Sequence, residues 1–479
     1  MALYEEETFA PVSPNGQCLT TSAFTLTVVV VFEFQVPIHD LPTISMLETL
    51  FVPINRRFSS LLVGEKNGEK KWKKVEVNVK EHVKVPTIPT GKSPEYYEKY
   101  LVEYLLNISS EPLPEHRPLW ELHVFPCPTI RAAGNLIFKF HHALGDGYSI
   151  MAAILSMVKR ADDPSLSVTF PSWNSSCTSS KSESSHDVKS VLKRVPLVSS
   201  WILNTVRDFG WSVLKSSVLA DDLSPIRSGE VGLEFLPMDI STMEFSLDHI
   251  KQIKTSLKVT VNDVITGVIH LGTRLYMKCK DKNAGDKKAT TVVLLNTRRN
   301  MEASNKSSSE MIKPNVTIPW GNHFAFLQIP LPKLSNTSPG YDPSPNFDPL
   351  QFVYESHHVI KRKRNNPAAF LTGGLLDYIR KIKGPETPAR YIYKTMSNSS
   401  MGISSLIGPA DQMSLCEHPI SGIYFSVAGV PQSLRVSVLS YMSKVRISFA
   451  VDKNFIDLEK LKTCVQNAFE SISKAALHS

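Results

Sequence analysis

The sequence predicts a mixed α/β fold, on three observations. The run Leu26–Phe34 is β-branched and aromatic almost throughout; it reads as a buried strand, since a membrane span would need about 20 apolar residues. Leu247, Ile250, Ile253 and Leu257 recur at helical spacing, the mark of an amphipathic helix. Toward the C-terminus, 434–441 and 445–451 alternate as half-buried strands do. The 479 residues leave room for about three domains or two larger ones.

Composition narrows the class. Hydrophobic residues make up 42% of the chain and charged residues 20%, ordinary for a folded soluble or peripheral protein and too polar for many membrane spans. Lys and Arg total 53 against 45 Asp and Glu, a net charge of +8. That modest excess suits an anionic cofactor or an anionic membrane surface and is no signature of nucleic-acid binding. The six cysteines are scattered and form no Cys-x-x-Cys pair, which points to free thiols in a reducing compartment. Met1–Thr8 is acidic and the apolar run Val28–Phe32 is short and far from the start, arguing against a secretory signal peptide.

Taken in order, 44–55 reads as a helix, and 58–63 with 72–79 as a return pair of strands. A helix over 96–106 follows, then Arg117-Pro118-Leu119-Trp120-Glu121, in which Pro118 and Trp120 suit a turn and a core aromatic. Leu136–Phe140 is a strand, and Ile150, Met151, Ile154, Leu155 and Val158 mark one face of the helix after it. The Ser-rich 172–190 cannot bury enough apolar surface to order itself and reads as a mobile linker. Directly after it, Val198, Ile202, Val206, Phe209 and Val213 fall at helical spacing beside Trp201 and Trp211. Arg207 and Asp208 argue against a spanning helix, which leaves an interfacial helix or one packed on its own protein. Thr260-Val261-Asn262-Asp263 has the form of a helix-capping box. A strand over 291–295 leads to Asn296-Thr297-Arg298-Arg299, and Lys361–Arg364 suits a solvated helix face. Glu302–Glu310 and Lys333–Pro349 read as surface loops, and a helix carrying Leu458, Leu461, Val465, Phe469 and Ile472 closes the chain.

The chemistry centres on His141-His142-Ala143-Leu144-Gly145-Asp146-Gly147, where a strand ends. Adjacent strand residues point to opposite faces, so the two histidines should meet different surroundings, which argues against a shared metal. Gly145 and Gly147 permit a tight turn, and Asp146 can accept hydrogen bonds from it or pair with a cation. The arrangement suggests one positioned imidazole acting as a base.

The form His-His-x-x-x-Asp-Gly resembles an acyltransferase superfamily that includes chloramphenicol acetyltransferase and the condensation domains of peptide synthetases. With Pro118-Leu119-Trp120, Asn262-Asp263, Asn296-Thr297-Arg298 and Ser404-Ser405-Leu406-Ile407-Gly408-Pro409 in order, the chain is similar to plant-type wax ester synthase/diacylglycerol acyltransferases. The resemblance implies two chloramphenicol acetyltransferase-like α/β domains, each a mixed sheet with flanking helices, around a central tunnel. The domains would be 1–171 and 231–479, joined through the linker 172–190 and an amphipathic crossover 191–230. It implies acyl-CoA as co-substrate, with no bound cofactor and no metal, and a fatty alcohol or diacylglycerol as acceptor. Interfacial membrane contact, at the cytosolic face of the endoplasmic reticulum or at the plasma membrane, comes with it, and nucleic acid does not.

By the same resemblance His142 is the general base, His141 supports it, and Asp146 and Gly147 organise the loop. Arg298, rather than Arg299, would pair with Asp146, and Asn262 would support the site or donate to an oxyanion. Pro118, Leu119, Trp120, Ser404, Ser405, Gly408 and Pro409 would line the substrate site. One departure stands out: where the family commonly has Ser-Asn before Gly-Pro, this chain has Ser404-Ser405. Two rivals stay in view, a soluble transferase acting on a small alcohol or amine, with the helix around Trp201 an ordinary core element, and, given Ser405, an inactive lipid-binding protein. A nucleophilic hydrolase is disfavoured because no Gly-x-Ser-x-Gly elbow accompanies the histidines.

Overall fold

The computed structural model describes residues 9–65, 68–166, 168, 188–298, 320–334 and 348–477, with side chains in the crossover helix described from Leu203 on. The linker expected within 172–190 falls almost wholly outside these residues, as do Arg299, the loop 302–310 and most of 333–349. Two mixed sheets carry the architecture. The first contains β1 (Thr27–Phe34), β2 (Val83–Lys84), β3 (Trp120–Phe125), β4 (Gly134–His141) and β5 (Lys159–Arg160). The second contains β6 (Met238–Ser246), β7 (Thr290–Asn296), β8 (Phe324–Pro330), β9 (Met401–Ile407), β12 (Leu434–Tyr441) and β13 (Lys444–Asp452).

The expected cut at 231 does not separate the sheets. β10 (Met413–Leu415) and β11 (His418–Ala428) come from the C-terminal half and enter the first sheet, whose order is β5-β10-β11-β1-β4-β3-β2. β11 runs antiparallel to β1 from Ile420↔Phe34 to Ala428↔Thr27. The reason lies in β1: seven of its eight residues are buried, so a strand this apolar must be covered on both faces and paired along both edges. The second sheet has the order β6-β13-β12-β9-β7-β8, with β9 parallel to β7 and β12.

Long helices flank the sheets: α1 (Pro94–Ser110), α2 (Gly147–Met157), α3 (Val188–Ser217), α4 (Leu247–Leu257) and α5 (Val261–Lys280). They continue with α6 (Leu350–Arg364), α7 (Ala368–Lys383), α8 (Glu386–Ser397) and α9 (Leu458–Leu477). No described helix is long and apolar enough to cross a membrane. The helix expected over 44–55 is instead a chain of short α, π and 3-10 turns from Thr43 to Ile54. Pro53 supplies the reason, since it has no N–H for a regular ladder.

The second core depends on close backbone approach. A Cβ on Gly267 would lie 2.8 Å from Val353 Cα, and one on Gly272 would lie 2.6 Å from Val465 Cα. α5 is thus wedged backbone to backbone between α6 and α9. Gly272→Ala should therefore destabilise the fold by about 1–3 kcal/mol, although alanine is the better helix former. Urea unfolding of the two proteins measures it, and a stabilised variant would refute the close packing.

Candidate active site

His141 ends β4 opposite Thr27 of β1, and a 3-10 turn over His142–Leu144 carries the chain into α2. The adjacent histidines do meet different surroundings. The Ala143 N–H donates to His141 Nδ1 at 3.1 Å, so that nitrogen must hold a lone pair. The proton of neutral His141 is then on Nε2, which lies 2.9 Å from Thr25 Oγ1. Both nitrogens are occupied, and burial, with His142 and Lys70 nearby, pushes the imidazole pKa down to about 3.

His142 is held by a residue from the other half of the chain. Asn322 Nδ2 donates to the His142 carbonyl at 2.9 Å, which fixes the orientation of the amide. Its Oδ1 therefore accepts from His142 Nδ1 at 2.9 Å. The proton sits on Nδ1, and Nε2 keeps its lone pair. Among the described residues nothing hydrogen-bonds that Nε2. Burial lowers the His142 pKa from 6.5, against the opposing pull of Asp146 and the Asn322 bond. The ring also packs edge-on against Phe324, centroids 5.8 Å apart.

Asp146 turns away from the imidazoles. Its carboxylate accepts from Arg298 Nη1 at 2.7 Å and Nη2 at 3.0 Å, a forked pair with both side chains almost fully buried. It also accepts from the Ser149 N–H at 3.0 Å, capping α2, and from the His323 N–H at 2.9 Å. Burial would raise its pKa, but the Arg298 bonds and charge with these amides outweigh that and hold it below 3.8. Arg298 Nη2 donates further to Ser149 Oγ at 3.0 Å and to the Gly321 carbonyl at 2.9 Å. Trp320 Nε1 closes the loop by donating to the Leu144 carbonyl at 2.7 Å. Gly321 takes φ +128°, and a Cβ there would meet Ser13 and Arg57. A Cβ on Gly147 would stand 2.7 Å from Leu406 Cδ2, so the Leu406 side chain would have to shift to admit it.

The other expected residues are farther from the imidazole. Trp120 is fully buried in the first core; its Nε1 donates to the Phe58 carbonyl at 2.8 Å and its ring stacks on His82 at 4.0 Å. With Leu119, whose carbonyl accepts from the His141 N–H at 3.0 Å, it steadies β4 and offers no open surface to a substrate. Pro118 sets the turn before it, its carbonyl accepting from the Trp120 N–H at 2.8 Å. Asn262 makes no hydrogen bond to the motif among the described residues. Asp263 closes the capping box with Thr260 and meets His357 Nδ1 at 2.8 Å, while Val264 packs into the second core.

Met401 and Ile403 of β9 face that same helix-covered core, and strand alternation puts Ser405 on their side. Ser404 and Leu406 share the opposite face, where Leu406 meets Gly147. Gly408 and Pro409 form a backbone clasp: the Gly408 N–H donates to the Ser440 carbonyl and the Pro409 carbonyl accepts from the Met442 N–H. The residues that sequence reasoning missed are Trp320, Gly321 and Asn322. A Trp-Gly-Asn run directly before a strand was the available signal.

Two segments match family descriptions in this same order. Residues 53–265 match "Wax ester synthase/diacylglycerol acyltransferase catalytic domain" and residues 320–473 match "WS/DGAT C-terminal domain". Wax ester synthase/diacylglycerol acyltransferase 6 of Arabidopsis thaliana is 30% identical, over 98% of this chain and 94% of its own. The chain belongs to the wax ester synthase/diacylglycerol acyltransferase family. Wax ester synthase/diacylglycerol acyltransferase 4 of the same plant is 28% identical over 98% of this chain and 91% of its own.

Solved structures share the acyltransferase's fold. The wax ester synthase/diacylglycerol acyltransferase from Marinobacter aquaeolei VT8 superposes with a TM-score of 0.58 at 15% identity, covering 98% of this chain and 100% of that one. The starter condensation domain of rhizomide synthetase, solved with C8-CoA, gives 0.55 at 10% identity, covering 99% and 96%. The two-domain architecture is therefore that of the condensation-domain and chloramphenicol acetyltransferase-like enzymes.

Because Arg298 and Asp146 bury each other, removing one partner strands the other charge. Arg298→Met should cost the acyltransferase about 3–5 kcal/mol, and adding Asp146→Asn should recover part of it. Denaturant unfolding of Arg298→Met, Asp146→Asn and the double variant measures the coupling; a loss in the double variant equal to the sum of the two single losses would show that the pair adds no mutual stabilisation.

Proposed function

We propose that this acyltransferase moves a long-chain acyl group from acyl-CoA to a fatty alcohol or diacylglycerol, with His142 Nε2 as the general base. The observation that carries the reading is the Asn322 bridge, which leaves a buried, neutral imidazole with its lone pair on the unoccupied nitrogen. Family membership supplies the substrate classes. His141 is excluded from the same role because its two nitrogens are engaged.

In the proposed reaction the acceptor hydroxyl lies on His142 Nε2 as its oxygen attacks the thioester carbonyl carbon. An alcohol is too weak an acid to ionise beforehand, so the proton moves to Nε2 during attack, help worth roughly 10²–10⁴ in rate. The tetrahedral adduct then breaks its C–S bond, and the imidazolium returns the proton to the departing CoA sulfur. Ester and free CoA result, with His142 neutral again. Asp146 stays outside this transfer, since its oxygens are taken up by Arg298, Ser149 and His323. Asn262 is assigned no step. The serine at 405 removes no group from the His142 side of β9, which weakens the inactive-protein reading. Both acceptors reside in membranes, which supports interfacial contact; the cytosolic face of the endoplasmic reticulum, or the plasma membrane, is the proposed site of action.

The first test is release of CoA from palmitoyl-CoA with hexadecanol or dioleoylglycerol as acceptor, with the lipid products separated. His142→Ala should lower acceptor-dependent turnover by roughly 10²–10⁴, whereas Ser405→Asn should change it by no more than about twofold. Unchanged turnover in His142→Ala would remove it as the base.

The pH dependence has a definite sign. With its pKa lowered from 6.5, His142 is unprotonated at neutral pH, so kcat/KM should be flat there and fall only as the pH drops through that lowered value. Asn322→Asp sets an anion against Nδ1–H and favours the imidazolium, so the acidic limb should move to higher pH. A limb that stays in place would show that residue 322 does not govern the base.

A further inference from the structure

The crossover helix is inside out. On α3, Thr205, Asp208, Lys215 and Ser216 are buried and form the packed side. Asp208 accepts from Arg362, from Lys363 and from Asn366 Nδ2, at 3.3, 3.2 and 3.0 Å. Lys215 pairs with Asp221, both side chains fully buried. Thus Lys361–Arg364, expected to be a solvated face, instead contributes Lys363 to the interior, because Asp208 needs a partner there. The opposite side of α3 is apolar and open: Leu203 is 69% and Val206 65% exposed, followed by Leu214, with Val218 at 76% just past the helix end.

A second helix also leaves apolar side chains outside, although Ala369 and Leu376 pack inward. α7 packs with α3 and α8, and Ala368 at its start is buried. Yet Leu371, Tyr378 and Ile382, at helical spacing on one stripe, are 51%, 63% and 61% exposed. An amphipathic helix normally turns such a stripe inward. Here two packed helices turn their apolar stripes outward, and exposed apolar surface of this kind marks a site of interaction.

The charges beside the stripes select the occupant. Arg207 is exposed on α3, and Lys381 and Lys383 are exposed at the end of α7, Lys381 with Asp377 one turn back at 3.0 Å. Those two lysines flank Ile382 in the wall of a surface cleft of about 340 Å³, which Arg380 and Glu69 also line. A second copy docked across a twofold axis would bring these cations together, which is unfavourable. An anionic surface with an apolar interior satisfies both features.

We infer that the outward stripes of α3 and α7, edged by Arg207, Lys381 and Lys383, dock the protein on an anionic phospholipid surface. The helices would lie in the headgroup boundary with Leu203, Val206, Leu371, Tyr378 and Ile382 in the acyl layer. This deepens the proposed function only by giving its lipid substrates a delivery surface; the docking itself requires no catalysis.

Vesicle flotation of the full chain tests it, using phosphatidylcholine vesicles with and without phosphatidylserine. The wild type should float with the anionic vesicles and lose binding as salt rises. Leu371→Asp with Tyr378→Asp, and separately Leu203→Asp with Val206→Asp, should weaken binding about tenfold or more. Lys381→Glu with Lys383→Glu should do the same for anionic vesicles only. All these side chains are exposed, and turnover of hexanol dissolved in water, which needs no membrane, should be unchanged in each variant. Failure of the folded wild type to float, or equal flotation of wild type and variants, overturns the proposal. So does a wild-type dimer that the aspartate variants split, in the absence of vesicle binding. A chain that floats and loses flotation in the variants, but transfers no acyl group, would uphold the docking surface and refute the enzymatic reading instead.

Discussion

The buried fork between Arg298 and Asp146 is the constraint on which the site depends. Each charge alone would be costly to bury, and each is tolerated because the other is there with enough donors and acceptors to complete the set. Arg298 Nη2 also donates to Ser149 Oγ and the Gly321 carbonyl, and Asp146 accepts from the His323 amide. The pair therefore does more than join two halves. It sets the backbone of Gly321–His323 against the motif loop, and that backbone carries Asn322 to His142. The orientation of the imidazole proton follows from a salt bridge that never touches the imidazole.

Much of the framework could be read from residues alone. Apolar runs and alternation located β1, β4, β12 and β13, and helical spacing located α1, α4, α5 and α9, because burial imposes those periods on any sequence. Asp146 and Arg298 were legible as partners only through resemblance, since their separation in sequence has no local signature. Asn322 escaped for a related reason. A polar residue between a glycine and a strand suits any turn, and its meaning comes from His142, far earlier in the chain.

Other misreadings share one cause: sequence patterns report amphipathicity and do not report which side is in. Lys361–Arg364 looked like a solvated face, yet Lys363 is buried against Asp208. Val206 lies on an apolar face that suits either a membrane interface or the protein's own core, and it points outward. Only the packing of α3 against α6 and α7 shows that on α3 the polar side is the one turned in. Trp120 illustrates the converse, a signature residue whose contribution is packing beneath β4 rather than contact with a ligand.

The return of β11 to the first sheet also imposes an order in time. When Thr27–Phe34 leaves the ribosome, the strand that will cover its free edge has not been made, and nearly four hundred residues separate the two. Until His418–Ala428 arrives, Thr-Val-Val-Val-Val-Phe-Glu-Phe is an uncovered β-edge with no proline to protect it. The N-terminal half thus cannot complete its fold as it emerges and must be sheltered until synthesis is nearly finished. A fragment ending before β11 would be incomplete and prone to self-association, so the two halves, although each has its own core, form a single folding unit.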